Sequence, residues 1–591
     1  LVLFALILGV GLILLAVGFI PAVARAGPDG EVAGSCYGRA PGHAPGHATG
    51  DASRDARDAP VGSVASTPLA ERGSIVVGGE PKYLLADPAH NRLFVSDFAR
   101  ESVVVVDLAT GLPVRRIAVP GAPAGLALSD ACDILFVACY SGSTVVAVDL
   151  SSGRVVARAV GLEHPWALAT VTGPGGREVL AVTENSADRV TFLGIEGIGG
   201  PQEGERSGSE GVLPRVGEVA TAYYPYHFDV VTGILYVVSY GGRQGGRVDA
   251  VDLATLARMW KTGTGKGSFD IQVSPEVAMM VVANLSGQSV GLYDLAGKSS
   301  GEIGLGADPR CVRFRAGGEL LVSLQSADEV RSLDVRQATT AYTVAVGARP
   351  GAMTWLSGRR TGPPDDTLAV ANQGDGTISL LSPGEPVAEF QDVPADHLFR
   401  ACIRTLALRG AVSGYPDPDL TGQICFRPDS GLTRAQMAKV LVMALSLHTE
   451  AIDPAAVDYV DLDAEDGVFP FDYVQEATAA GVISGFGGDP PRFGPYEPVT
   501  RMQLLRIVVK AAAAVGSPLP AAPAPAPFVD LPSDAADAAV VNTAFAAGLI
   551  SGVLGADGRL RLMPWAPVTR GQAAKVVYGL LASLHTGDLR Q

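Results

Sequence analysis

From Glu80 onward the chain repeats one rhythm of apolar and polar positions. A proline opens a short apolar strand, a turn follows, and a second apolar strand ends in a small or polar residue. After another turn an alternating strand ends in Asp-Leu, and a glycine turn leads into a last strand. EPKYLLADPAHNRLFVSDFARESVVVVDLATGLPVRRIAV, from Glu80, and APAGLALSDACDILFVACYSGSTVVAVDLSSGRVVARAV, from Ala122, show the pattern side by side. Pro81, Pro123 and Pro165 are 42 residues apart, Pro225 follows after a polar insertion at roughly residues 195–217, and Pro309 and Pro350 come later. Phe269 stands where a further proline is expected, which makes seven repeats.

Four strands per repeat at this period predict the blades of a β-propeller. Ser74-Ile75-Val76-Val77 reads as the fourth strand of a blade yet precedes the first full repeat. It is expected to pair into the last blade, residues 351–381, and close the ring, which leaves no long unpaired edge. Asp107, Asp149, Asp252, Asp294 and Asp334 recur at the end of the third strand. Their expected role is to accept hydrogen bonds from turn amides.

Past Phe390 the apolar period becomes helical. Three segments align, at residues 390–446, 459–513 and 528–583. Their leading acids Asp392, Asp461 and Asp530 are 69 and 69 residues apart, and Arg434, Arg501 and Arg570 are 67 and 69 apart. Each unit predicts helix, glycine turn, loop, helix. The second helix opens on Thr-Arg-x-Gln: Thr433, Thr500 and Thr569 are N-caps, and Gln436, Gln503 and Gln572 complete capping boxes. A capping box does not explain the arginine. A cation in the first turn faces the positive end of the helix dipole, at a cost of ~0.3–1 kcal/mol. Three such placements ask for an anion. Free amides, the dipole and the guanidinium together suit a carboxylate.

Residues 1–20 carry no charge, and Ala24-x-Ala26 suits a signal peptidase. Residues 1–26 are therefore expected to be a signal peptide or, uncleaved, a membrane anchor through residues 1–20. Either places the remainder outside the cytoplasm. Residues 27–72, rich in Gly, Ala, Pro, Asp and Arg, read as a flexible linker in which His43 and His47 are solvated.

The net charge of -16 repels phosphate backbones, so no nucleic-acid partner is expected. The six cysteines show no metal or haem spacing, so neither a metal nor a cofactor is expected. Cys402 and Cys425, 23 residues apart in one repeat, are a candidate disulfide, the alternative being two reduced thiols. No catalytic constellation stands out. His90, His164 and His227 read as satisfied loop or strand-end residues. Tyr223, Tyr224, Tyr226 and Phe228 read as strand packing, with a ligand-stacking face as the alternative.

Residues 73–389 resemble the YVTN type of seven-bladed propeller, with LFVSDF, LFVACY, LYVVSY and MVVANL at its signature strand. Residues 390–582 resemble S-layer homology (SLH) repeats. The carriers are the Phe/Tyr-x-Asp-Val/Leu opening, the Gly-x-x-Ser-Gly centre and the Thr-Arg-x-Gln close. Together these imply an all-β seven-bladed propeller followed by an all-α triple SLH-repeat domain in a pseudo-threefold spindle. The SLH resemblance implies grooves that bind a pyruvylated secondary cell-wall polysaccharide. Arg434, Arg501 and Arg570 would contact its acidic sugar. Gly414, Gly485 and Gly552 would shape the grooves, and Asp392, Asp461 and Asp530 would brace each first helix. The sequence departs from the family in three ways: Gln for the commoner Glu, His-Trp reduced to His397-Leu398, and Val553 where an aromatic is typical.

The expected function is that of an exported surface protein, anchored non-covalently to the wall, whose propeller serves structure or a protein or glycan ligand. The rival is a wall-anchored lactonase or other hydrolase working in the propeller channel. A self-assembling lattice subunit is a third reading.

Overall fold

The structure, a computed structural model, describes residues 67–584 apart from 130, 132, 199–209, 242–244, 359–366, 385–388, 395, 417–423, 448–458 and 464–467. The expected signal or anchor segment, the linker up to residue 66 with His43 and His47, and Cys36 and Cys132 lie outside the described residues.

Seven antiparallel sheets form the first module. Their inner strands are Pro81–Asp87, Pro123–Leu128, Pro165–Thr172, Pro225–Val231, Ser268–Ser274, Pro309–Arg315 and Pro350–Trp355. These touch in cyclic order, the last against the first, so the module is a seven-bladed propeller. The strand Leu69–Val76 pairs antiparallel with Thr377–Pro383 and completes the seventh blade, from Leu69↔Pro383 to Val76↔Thr377. The closing strand thus begins at Leu69, so residues 69–72, read above as linker, belong to it. A bulge between Glu71 and Gly73 lets both halves keep their apolar side chains inward.

Two further corrections concern the repeats. Ser268 pairs with Asn284 as Pro81 pairs with Asp97 and Pro123 with Cys139. Ser268, not Phe269, therefore takes the proline's place, and its hydroxyl donates to Asn284 Oδ1 at 2.9 Å. The insertion within the third blade, between its strands Arg189–Gly194 and Arg215–Ala220, also contributes structure. Gly211–Val212 adds a parallel strand to the outer strand Val155–Val160 of the second blade. The third-strand acids do hold their turns: Asp107 accepts from the amide of Ala109 at 2.7 Å, Asp149 from Ser152 at 2.7 Å and Asp252 from Thr255 at 2.8 Å. Asp294 and Asp334 do the same with Ala296 and Arg336.

Around the channel, polar side chains of one inner strand reach the backbone of the next blade. Asp229 accepts from the amide of Val273 at 2.7 Å, Asp270 from Val312 at 2.9 Å and Gln272 from Phe314 at 2.5 Å. Arg313 Nε donates to Met353 O at 3.0 Å. On the other side of the ring the backbones approach directly: a Cβ on Gly125 would lie 2.4 Å from Trp166 O. His227 Nδ1 and Arg313 Nη1 both stand 2.9 Å from the Asp270 carboxylate, and all three are buried. Burial alone would raise the Asp270 carboxyl, but Arg313 and His227 outweigh it and hold it down at about 2.

Among the described residues the second module has six α-helices: α1 (Arg400–Leu408), α2 (Arg434–Leu445), α3 (Tyr473–Ala479), α4 (Arg501–Ala514), α5 (Ala535–Ala546) and α6 (Arg570–Ser583). The first helix of each unit stops at a left-handed glycine: Gly410 (φ 69°), Gly481 (φ 68°) and Gly548 (φ 72°). The module is not purely helical. Tyr415–Pro416 pairs with Ile424–Cys425, Val553–Leu554 with Leu560–Arg561, and Phe486 bridges to Arg492. These bridges arise because the loop between the helices doubles back under the following helix. The three units close on one another through a cycle of backbone bonds just before α2, α4 and α6. Leu432 N donates to Val568 O (3.0 Å), Val568 N to Val499 O (2.9 Å) and Val499 N to Leu432 O (2.9 Å). Each unit supplies one donor and one acceptor, as a pseudo-threefold axis requires.

A carboxyl held below its ordinary value of about 3.9 stabilises the fold above that pH and ceases to as pH falls through about 2. Urea unfolding is expected to show stability declining between roughly pH 4 and pH 2. The decline should be smaller in Asp270→Asn, which at neutral pH is less stable because Arg313 loses its buried partner.

Candidate functional site: the arginine apex

The starts of α2, α4 and α6 gather at one end of the second module, around the backbone cycle. Thr433, Thr500 and Thr569 accept from the amides of Gln436, Gln503 and Gln572, whose side chains return the bond to the threonine amides. All three capping boxes are therefore formed.

The arginines cross between units. Arg434, of the first unit, donates from Nε to Phe493 O at 2.8 Å and from Nη2 to Ser484 O at 2.7 Å, both in the second. Arg570, of the third, donates to Phe426 O at 2.9 Å, Ser413 O at 2.9 Å and the Tyr415 hydroxyl at 3.2 Å, all in the first. Arg501, of the second, donates to Leu562 O at 2.9 Å in the third. Arg434 lies over the rings of Phe486 and Phe493 at 4.6 and 4.7 Å, and Arg570 over Tyr415 and Phe426 at 5.0 and 4.5 Å. Arg434 and Arg570 are 5% and 8% exposed, and Arg501 is half-buried. Burial pulls Arg434 and Arg570 below the ordinary arginine value. Among the described residues none of the three forms an ion pair.

The amides expected to be free for an anion are not free. The first two of α2 donate to Glu497 O and Pro495 O, those of α4 to Ala566 O and Pro564 O, and those of α6 to Ser430 O and Pro428 O. The third is bound by the threonine cap. The loop of the next unit thus occupies the position at which a free helix end would hold a ligand, and a guanidinium from the unit before reaches into each groove, with Arg492 and Arg427 over the same Phe486 and Tyr415 rings that Arg434 and Arg570 share.

The leading acids also act elsewhere than expected. Asp392 accepts from the amides of Phe426 and Arg427, Asp461 from Phe493 and Gly494, and Asp530 from Leu562 and Met563. They brace the loop that receives the neighbouring arginine, not the first helix, because those amides have no other partner once the loop doubles back. Gly414, Gly485 and Gly552 are required by close approach. A Cβ would lie 2.2 Å from Ile424 Cγ2 at Gly414, 2.3 Å from Tyr459 Cε1 at Gly485 and 2.4 Å from Phe528 Cε1 at Gly552. No disulfide joins Cys402 to Cys425. Cys402 packs into the helical core, and burial pushes its thiol up to about 11, whereas Cys425 lies on the hairpin.

In the propeller, Tyr224, Tyr226 and Phe228 are buried in strand packing, and Tyr223 is half-buried. His164 bonds Ser186 Oγ at 2.8 Å and His90 pairs with Asp87 at 3.0 Å. Among the described residues no three His, Cys, Asp or Glu side chains gather as a metal site would require.

The S-layer homology domain family matches residues 461–505. The chain carries an S-layer homology domain. Within that domain the matched stretch runs from Asp461 past Gly485, which lines the wall receiving Arg434, to Arg501 and Gln503. Two curated relatives, both Outer membrane protein SlpA of Thermus thermophilus, are 33% identical over 96 residues. The match covers 15% of this chain and 10% of each relative. Among solved structures, Kuenenia stuttgartiensis Hydrazine Synthase aligns at 16% identity and TM-score 0.44, over 52% of this chain and 97% of that one. The Cps50 (Swd1) β-propeller domain from Myceliophteria thermophila aligns at 13% identity and TM-score 0.42, over 53% and 99%.

The partners of the arginines are not legible in one repeat, since each arginine is received by carbonyls of another unit. Gly485→Ala forces a methyl into Tyr459 and within 2.6 Å of Arg492 O. Chemical denaturation is expected to show a loss of about 1–3 kcal/mol, the usual cost of overpacking.

Proposed function

We propose that this is a cell-surface protein held non-covalently on an anionic, pyruvylated wall polysaccharide by three SLH repeats, at residues 390–446, 459–513 and 528–583. The propeller is displayed outside the cell, where it binds or scaffolds a partner. An envelope location agrees with the S-layer homology domain and with the outer membrane relatives. The observation that carries the reading is a buried guanidinium that forms no ion pair of its own. Arg434 and Arg570 sit in aromatic-walled grooves, bonded to carbonyl oxygens and, for Arg570, to the Tyr415 hydroxyl, while Glu497 and Asp461 act on Arg434 and Asp392 acts on Arg570 only from beyond bonding distance. A buried cation without a direct counter-ion is favoured by an anion that reaches it, and a sugar-borne carboxylate can do so through charge-assisted hydrogen bonds.

The three grooves differ. In the third unit Val553 stands where Tyr415 and Phe486 stand in the first and second, and among the described residues no ring lies against Arg501 as Phe486 lies against Arg434 and Tyr415 against Arg570. The grooves of Arg434 and Arg570 are therefore the stronger pair. Tyr496 and Trp565, 69% and 64% exposed, sit between the residues whose carbonyls cap α2 and α4, where a neighbouring sugar ring can stack. Several weak grooves on one polymer raise retention by about 10²–10⁴ through tethering.

The rival reading, an enzyme using the channel, draws nothing from His227, Asp270 and Arg313, which are buried and paired with one another. The test is co-sedimentation of the full chain with purified wall polymer, before and after the ketal is removed. Arg434→Ala and Arg570→Ala are each expected to weaken retention by about tenfold or more, the worth of a charge-assisted hydrogen bond, and Arg501→Ala by less. Full retention by a folded triple variant, or indifference to the ketal, contradicts the reading.

A further inference from the structure

The second module is docked across the rim of the propeller from the sixth blade to the first, with the closing strand Leu69–Val76 of the seventh blade between them. Helix α1 packs along that strand. Arg404 of α1 pairs with Glu71, which is 4% exposed, and also donates to Ala345 O at 3.1 Å. Arg409, just past the end of α1, has no acid beside it and reaches four carbonyls. Nη1 donates to Ser74 O (3.2 Å) and Gly111 O (3.1 Å), and Nη2 to Ala444 O (3.0 Å) and Thr110 O (3.4 Å). One guanidinium thus ties the closing strand, the first blade and the end of α2 together, and burial lowers it to about 10. Ser446 Oγ donates to Thr110 O at 3.3 Å, and the Tyr578 hydroxyl of α6 donates to Asp375 O at 2.7 Å, in the turn before the strand that pairs with the closing strand. Val76 and Leu112 of the propeller lie in the hydrophobic core of the helices. Near Leu69 a cavity of about 710 Å³ separates strand from helix, so that half of the strand is held by the Arg404–Glu71 pair more than by packing.

The closing strand is the one strand of the seventh blade that comes from the other end of the propeller's sequence. Its pairing with Thr377–Pro383 and the burial of Leu69 and Ile75 in the core of the neighbouring blades hold its inner side, and the rim contacts cover its outer side. We infer that the helical module is the clasp of the propeller: it holds Leu69–Val76 in the ring, so ring closure and docking of the anchor are one coupled event. Helices α2 and α6 carry this coupling. Each bears an apex arginine at its start and a rim contact further along, Ser446 beside the end of α2 and Tyr578 within α6, ~18 and ~12 Å away at 1.5 Å per residue. The clasp stands whatever the apex binds.

The test is hydrogen exchange by mass spectrometry on the full chain, comparing the unaltered protein with Arg404→Gln/Arg409→Met, which keeps both apolar stems. Exchange in residues 69–76 and 377–383 is expected to speed up by about tenfold or more, with the inner strands of blades three and four and helix α4 unchanged. Tyr578→Phe, which removes one hydrogen bond, should give a smaller change at the same two strands and serves where the double variant does not fold. Unchanged exchange in the closing strand, or equal acceleration in all seven blades, overturns the inference.

Discussion

Neither kind of repeat in this chain can satisfy its own backbone. A propeller blade leaves an edge and two apolar faces open, and a helical unit leaves the first amides of its second helix open. In both modules the next copy provides what is missing, and the series must therefore come back on itself. In the propeller it returns when Leu69–Val76 pairs with Thr377–Pro383. In the helical module it returns through the three-membered cycle of Leu432, Val568 and Val499. Cyclic closure is the constraint from which the remaining geometry follows.

It explains why the apex arginines are built as they are. The loop that caps a helix start belongs to the following unit, so the residue in the first turn is aimed at that unit's carbonyls. The groove is composite, and a change in one repeat is felt at the arginine of the repeat before. The same closure removes the helix-end amides from solvent and leaves the guanidiniums, not free backbone donors, at the helix starts.

Closure also accounts for the rim. The outer strands of the other blades follow their own blades in sequence, while the closing strand comes from the other end of the propeller, and that is the strand covered by α1 and fixed by Arg404 and Arg409. The propeller interior takes the opposite course. Its polar side chains are consumed in blade-to-blade bonds such as Asp270 to Val312 and Arg313, which makes the channel wall a structural seam.

The sequence by itself determined the periods and the local chemistry. Proline and Asp-Leu spacing specify seven four-stranded units, Ile75 and Val76 specify a strand able to close them, and Thr-Arg-x-Gln specifies three capped helix starts, because these depend on neighbours within a few residues. What the tertiary structure decided was every contact between units. Asp392 could bond any nearby amide, and the doubled-back loop selects those of Phe426 and Arg427. The first turns of α2, α4 and α6 could have faced a ligand, and the neighbouring loops fill them. Arg409 carries no motif at all, and its place across two modules arises only where 335 residues of separation, between it and Ser74, are closed by packing. A repeat pattern fixes what each unit needs, and the fold settles which other unit supplies it.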